Sequence, residues 1–279
     1  MKRSPFFSAH LDDIPKSTPP KQLFKYRVIN DYTEKIFTKQ ELYFAAPKDF
    51  NDPFDCAFHL PCQGDGAREV IASVAFQAAR RTRPQWTLEK AFEEAEKAAT
   101  TIVTKHHEEA SRQLSKSLAR DYNDRVGILS LTATANNTLM WTHYADNHKG
   151  ICLEFRTTEE SLFRRAQPVN YAEDFPHLDV FRLANDNDFR EATPWILTKS
   201  SGWSYEHEWR VLDFENGPGV QIFPPECLSA VILGCRIPEA EREKVMSWVK
   251  SFPTPVRVLR SKISDASFRL HVVDGPDLE

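Results

Sequence analysis

Glycine is scarce in this sequence, nine among 279 residues, and no glycine-rich loop of the phosphate-cradling kind occurs. That argues against P-loop and Rossmann enzymes, whose backbone must approach phosphate closely. Cysteine is sparse as well. The five, at 56, 62, 152, 227 and 235, form no Cys-x-x-Cys pair and are odd in number. Reduced thiols in a cytoplasm fit that pattern better than a disulfide framework does. No apolar run approaches the roughly 20 residues a membrane-spanning helix needs, so no membrane association is expected. The opening MKRSPFFSAHLDDIPKSTPP has two basic residues but no long apolar core, and it does not read as a signal peptide. Charge of one sign is lacking too. With 36 Lys and Arg against 40 Asp and Glu, the net charge is −4. Nothing global draws the chain to nucleic acid or to a lipid surface, although a local basic patch is compatible with this balance.

What is present is material for a core. Hydrophobic residues make up 41%, with 19 Phe and 6 Trp, which excludes a disordered chain. The length suits one large domain or two small ones.

Along the chain, residues 1–20 are polar and end in STPP, which predicts an N-terminal arm. LFKYRVI (23–29) predicts a strand. ELYFAAP (41–47) predicts a buried strand stopped by Pro47. From Ala67 to about Tyr122 the texture changes to Ala, Glu, Lys, Arg and Gln, with Pro84 the one breaker. Val70, Ile71, Val74 and Ala78, then Leu88, Ala91, Phe92, Ala95, Ala99, Ile102 and Val103, recur at helical spacing. Two helices follow, broken at Pro84, with Thr87 capping the second. Strand-like runs return with VGILSLTA, GICLEF, WRVLDF, QIF, SAVILG, VRVLRSKI and FRLHVVD. One amphipathic helix, begun at Pro238, interrupts them. Strands, a helical insertion and then mostly strands define an α+β fold with mixed, mainly antiparallel sheets. The expected organisation is a single domain over 21–279 with a helical insertion at 67–122.

Three segments carry candidate chemistry. FNDPFD (50–55) is a turn signal whose Asn51 amide and carboxylates can serve the local backbone or a ligand. A metal site built on Asp52, Asp55 and His59 lacks a second cluster of ligand spacing. The segment 129–155 crowds Trp141, His143, Tyr144 and His148 before Gly150. A short core-packing helix is the structural alternative to a ligand pocket there. In WSYEHEWRVL (203–212), strand alternation would put Glu206, Glu208 and Arg210 on one face, with Tyr205, His207, Trp209 and Val211 opposite. Paired carboxylates raise one another's pKa and Arg210 opposes that. A solvated edge strand is the alternative, but the flanking Trp203 and Trp209 argue for burial, which charges tolerate only when paired or in use.

KYR (25–27), LYFAAPKDFNDPFD (42–55), LSLTATANNTLMWTHYADNHKGICLEF and WSYEHEWR together resemble a bacterial family catalogued as domain of unknown function 2971, in that family's order of blocks. The same order resembles the ADP-ribosyltransferase fold. There an Arg or His lies on a first strand, Ser or an aromatic on a second, and Glu on a later one. This resemblance implies Tyr26 or Arg27 at the first position. It implies Ser130-Leu131-Thr132 at the second, where a Ser-Thr-Ser strand is usual in one subclass. Glu206-His207-Glu208 would be the E-x-E of enzymes that modify arginine or nucleic acid.

The implied activity is NAD-consuming ADP-ribosyl transfer, with NAD as substrate and a nucleic acid or protein as acceptor. The implied setting is a bacterial toxin or phage-defence effector, with a neutralising partner. Cleavage of the nicotinamide–ribose bond passes through an oxocarbenium-like state, as glycoside cleavage does. Glu208 would bond the ribose and stabilise the cation, and Glu206 would position or deprotonate the acceptor. Tyr26 or Tyr144 would stack on nicotinamide, Arg27 would pair with phosphate, and Asn51 would bond the ligand. Ser130 and His143 complete the candidate set. Replacing Glu208 by Gln is expected to relieve repulsion and leave the fold intact. Two alternatives stand beside this reading. One is a non-catalytic binding module, and the other a metal-dependent nuclease using Asp52, Asp55, Glu206 and Glu208.

Overall fold

The computed structural model describes residues 17–57, 67–109, 111–113, 115–116, 125–159, 161–176 and 193–275. His59, Cys62 and most of the predicted N-terminal arm lie outside these. The chain divides into two compact units. The first takes residues 1–49, 125–171 and 199–279, and the second takes 50–124 and 172–198.

The first unit is built on an eight-stranded sheet. Its strands are β1 (Gln22–Arg27), β3 (Gly127–Thr132), β4 (Ile151–Arg156), β5 (Gln167–Pro168), β8 (Glu208–Asp213), β10 (Leu228–Leu233), β11 (Arg257–Ile263) and β12 (Leu270–Asp274). The order is β12-β11-β10-β4-β1-β3-β8-β5. Only the β10–β11 pair is parallel; the other six are antiparallel. The class is therefore α+β with a mixed, mostly antiparallel sheet. Two smaller sheets pair β2 (Glu41–Phe44) with β9 (Gly219–Ile222), and β6 (Asn170–Ala172) with β7 (Thr198–Ser200).

The GICLEF run differs from a one-sided amphipathic strand. Every residue of β4 from Ile151 to Phe155 is buried, because β4 sits between β10 and β1 with both faces covered. Ile151, Leu153 and Phe155 join a cluster with Phe37, Phe163, Phe223 and Trp248. Cys152, on the opposite face, joins Tyr26, Trp141, Ala230 and Ile232. A period-2 strand buried twice loses its alternation. Gly150 precedes it because a Cβ there would lie 2.3 Å from the Arg27 carbonyl oxygen. The predicted buried strand at 41–47 is half-buried: Leu42 and Phe44 point inward while Tyr43 is exposed.

Local chemistry sets the helix starts. α1 (Asp31–Thr38) begins where Asn30 Oδ1 accepts from the Thr33 amide, 3.0 Å. It lays Phe37 against Trp248 and Phe252. These come from the helix Glu239–Ser251 and its C-cap, and Pro238 stands at that helix's N-cap. In the second unit, α2 (Ala67–Thr82) and α3 (Leu88–Lys105) flank Pro84. Thr87 Oγ1 accepts from the Lys90 amide at 3.2 Å. Ile71, Ala72 and Ala99 pack them together. No helix among the described residues is long and apolar enough to cross a membrane.

Candidate active site

The segment expected to form one strand from Trp203 does not. Ser201–Glu206 is a 3-10 helix and His207 adopts a left-handed φ of 45°. Only at Glu208 does β8 begin. The turn is fixed by Thr132 Oγ1, which donates to the Glu206 carbonyl at 2.6 Å, and by the His207 amide, which donates to the Ser204 carbonyl. Glu206 and Glu208 are therefore not strand neighbours two residues apart. They meet through a residue the sequence reading missed. Lys199 Nζ donates to Glu206 Oε2 at 2.6 Å and to Glu208 Oε2 at 3.2 Å. Its one sequence signal is a lone cation that follows the apolar run Trp195-Ile196-Leu197 after Thr198.

Arg210 completes the group. On β8, residues 208 and 210 share a face, while Val211 belongs to the opposite core and Trp209 packs against it. Arg210, fully buried, grips Glu208 with Nε to Oε1 at 2.7 Å and a terminal nitrogen to Oε2 at 3.0 Å. Two carboxylates and two cations thus form a buried tetrad. Ser130 on β3 adds a hydroxyl bond to Glu208. The Glu208 amide donates to the Tyr171 hydroxyl at 2.8 Å.

The two carboxylates differ in environment. Burial works against ionisation of Glu208, but Arg210 and Lys199 outweigh it and hold its pKa down at about 2. Burial raises the pKa of Glu206; Lys199 and the Tyr144 hydroxyl oppose that rise without cancelling it. Tyr144 closes the α4 helix (Thr138–Tyr144) and donates to Glu206 Oε1 at 2.6 Å.

A row of rings borders Glu206. His143, exposed on α4, lies 6.3 Å from both Tyr144 and Tyr205 between ring centroids. Trp203 lies 5.9 Å from Tyr205, and Lys199 Nζ stands 4.9 Å from the Trp203 centroid. Asn137 secures this arrangement twice. Its Oδ1 caps α4 by accepting from the Met140 amide, and its Nδ2 donates to the Tyr205 carbonyl at 2.7 Å.

Of the residues expected at a site, Glu206, Glu208, Ser130, Tyr144 and His143 come together here. Tyr26 is buried edge-on against Trp141 at 5.2 Å, and its hydroxyl donates to the Thr134 carbonyl. Burial holds that hydroxyl well above the usual tyrosine range. Arg27 ends β1, where its Nε donates to Thr33 Oγ1 at 3.3 Å. Asn51 is exposed and belongs to the second unit. In that motif, Asp52 Oδ1 accepts from the Phe54 amide at 2.9 Å, as an Asp-Pro turn requires. Among the described residues no three His, Cys, Asp or Glu side chains gather as a metal site.

Lys25 lies beside the tetrad. Its ammonium donates to the Ser130 carbonyl at 2.8 Å. Burial first, then Arg27, bring its pKa down to about 7, against the pull of Glu208. A lysine whose folded pKa falls below its unfolded 10.5 binds fewer protons when folded. Stability should therefore rise with pH between about 7 and 10. Lys25→Met should flatten that rise. Urea midpoints at pH 7 and pH 9 for both proteins test this, and an equal slope in the variant would exclude Lys25 as its source.

A sequence model of a family described as "Protein of unknown function (DUF2971)" matches residues 140–211. That stretch starts on α4 and ends on β8, so it spans Tyr144, Tyr171, Lys199, Glu206, Glu208 and Arg210. Comparison with curated proteins and with solved structures returned no match.

Proposed function

We propose that the first unit is an NAD-consuming, ADP-ribosyltransferase-like enzyme whose working groups are Glu206 and Glu208. One observation carries this reading. A single ammonium bridges two buried carboxylates whose environments push their pKa values in opposite directions. Titratable pairs separated in this way mark distinct roles in acid–base chemistry. Glu208, ionised at any ordinary pH, supplies fixed negative charge against an oxocarbenium-like state. Glu206, with its raised pKa, is tuned to take a proton from an acceptor hydroxyl, amine or water. The rings of His143, Tyr205 and Trp203 offer apolar planes to nicotinamide. The acceptor is a macromolecule, nucleic acid or protein, and the setting is a cytoplasmic toxin or phage-defence effector countered by a neutralising partner.

The test is direct. The purified chain incubated with NAD should release nicotinamide, and labelled NAD in cell lysate should leave label on a macromolecule. Absence of both ends the transferase reading. A second reading has its own support. Both Glu208 oxygens are occupied by Arg210 and Lys199, which suits a staple beneath a binding surface for planar ligands. Binding of nicotinamide-bearing compounds without turnover would select it.

A further inference from the structure

The sheet face that holds Tyr26 and Trp141 also bears a cavity of about 410 Å³. Phe24, Ile232 and Leu270 give it apolar walls. Thr134 and Asn136, from the loop after β3, and His271 of β12 give it polar ones. Glu154 also lines it, directly opposite Phe24 across the β1–β4 pair. This glutamate is only 5% exposed, and its two oxygens are treated very differently. Oε1 accepts from Gln22 Nε2 at 3.1 Å, Ser229 Oγ at 2.6 Å and an Arg257 terminal nitrogen at 2.9 Å. No donor among the described residues reaches Oε2.

Oε2 is thus left to accept from whatever enters the cavity, water or a ligand. A ligand entering the cavity could supply the donor. The charge side is already settled, because Arg257 pairs with Glu154 from a partly exposed position. The missing partner is thus a neutral N–H group and not a second cation. Beside it the Phe24 ring favours a flat, apolar body. A volume of this size falls within the range of about 300–1,000 Å³ common for small-molecule sites.

We propose that this cavity binds an amino-bearing planar heterocycle of the nucleobase type, with its exocyclic amine donating to Glu154 Oε2 and its ring against Phe24. The cavity's loop is tied to the carboxylate pair. The Ala133 amide donates to the His207 carbonyl at 3.1 Å, and Asn137 holds the Tyr205 carbonyl. A dinucleotide with an aminopurine half would suit both places, and that extension alone rests on the transferase reading.

The experiment compares adenosine with inosine, which carries a carbonyl in place of the amine, by calorimetric titration of the full chain. The parent should bind adenosine at least tenfold more tightly than inosine, since a carbonyl would face the carboxylate. Glu154→Gln should reverse the order. The three donors at Oε1 fix the amide oxygen there, so its –NH2 takes the Oε2 position and meets the inosine carbonyl. Circular dichroism of the variant checks its fold; should it not fold, the parent's preference decides alone. No adenosine binding, equal affinity for both nucleosides, or the same preference in a folded Glu154→Gln protein overturns the proposal. None of these outcomes depends on NAD cleavage, so this site and the proposed reaction fail or stand separately.

Discussion

Glu208→Gln should lower the stability of the folded chain by about 3–5 kcal/mol, the cost of breaking a buried ion pair by removing one member. The expectation from sequence runs the other way, because it treats Glu206 and Glu208 as neighbours that repel. Lys199 and Arg210 reverse the sign. Arg210 is fully buried and holds Glu208 with two nitrogens, so a neutral amide removes the anion that both of them grip. Urea unfolding should show an earlier midpoint with little change in slope. Glu208→Gln combined with Arg210→Met should recover part of the loss, since removing both members of a buried pair costs less than removing one. An unshifted midpoint in Glu208→Gln, or no recovery in the double variant, would contradict the tetrad as a stabilising unit.

Acid should produce the same effect in the parent. The folded pKa of Glu208, about 2, lies below its ordinary 4.5. Its contribution is fully present above pH 4.5 and is lost as the pH falls toward 2. Glu206 has the opposite sign. Its folded pKa is raised, so its contribution is complete below its ordinary value and declines as the pH climbs through the raised one. Glu208 therefore contributes to the acid limb of a stability profile together with Asp213, where burial is outweighed by bonds from Asn216, Glu215 and Gln221 and the pKa is lowered as well. Glu208→Gln should make that limb shallower.

Strands and helices in this chain were largely legible because their signals are local. Thr87 and Pro84 mark α2 and α3 by capping and by a missing amide, and both act within a turn of themselves. The β8 run starting at Glu208 shows its alternation through Trp209 and Val211. The start of WSYEHEWR was misread for the same reason. Its residues suit a strand, but a bond from Thr132, 74 residues earlier, holds the Glu206 carbonyl and turns the chain. No local pattern contains that bond. Lys199 escaped likewise. A lysine after an apolar run reads as the end of that run until the fold brings two carboxylates to it. The Glu154 cavity was invisible because a five-residue buried run carries no sign that its one acid has an unmatched oxygen.

Glu206→Gln should separate chemistry from stability. Glu206 is held by a neutral hydroxyl and by one ammonium that Glu208 also shares. A glutamine amide oxygen can still accept from Tyr144 or Lys199, and Glu208 remains to balance Arg210. The stability loss should therefore fall well below that of Glu208→Gln. The rate should not be spared. If Glu206 takes the acceptor's proton, an amide cannot, and general-base losses run about 10²–10⁴-fold. The pH profile supplies the sharper criterion. A base must be ionised to work, so parental nicotinamide release should rise with pH through the raised pKa of Glu206 and then level. In Glu206→Gln the residual rate should lose that rise. A folded variant that keeps both the parental rate and its pH dependence would remove Glu206 from the chemistry. A variant that loses rate but keeps the limb would assign the titration to another group, with His143, exposed beside Tyr144 and Tyr205, the next to replace.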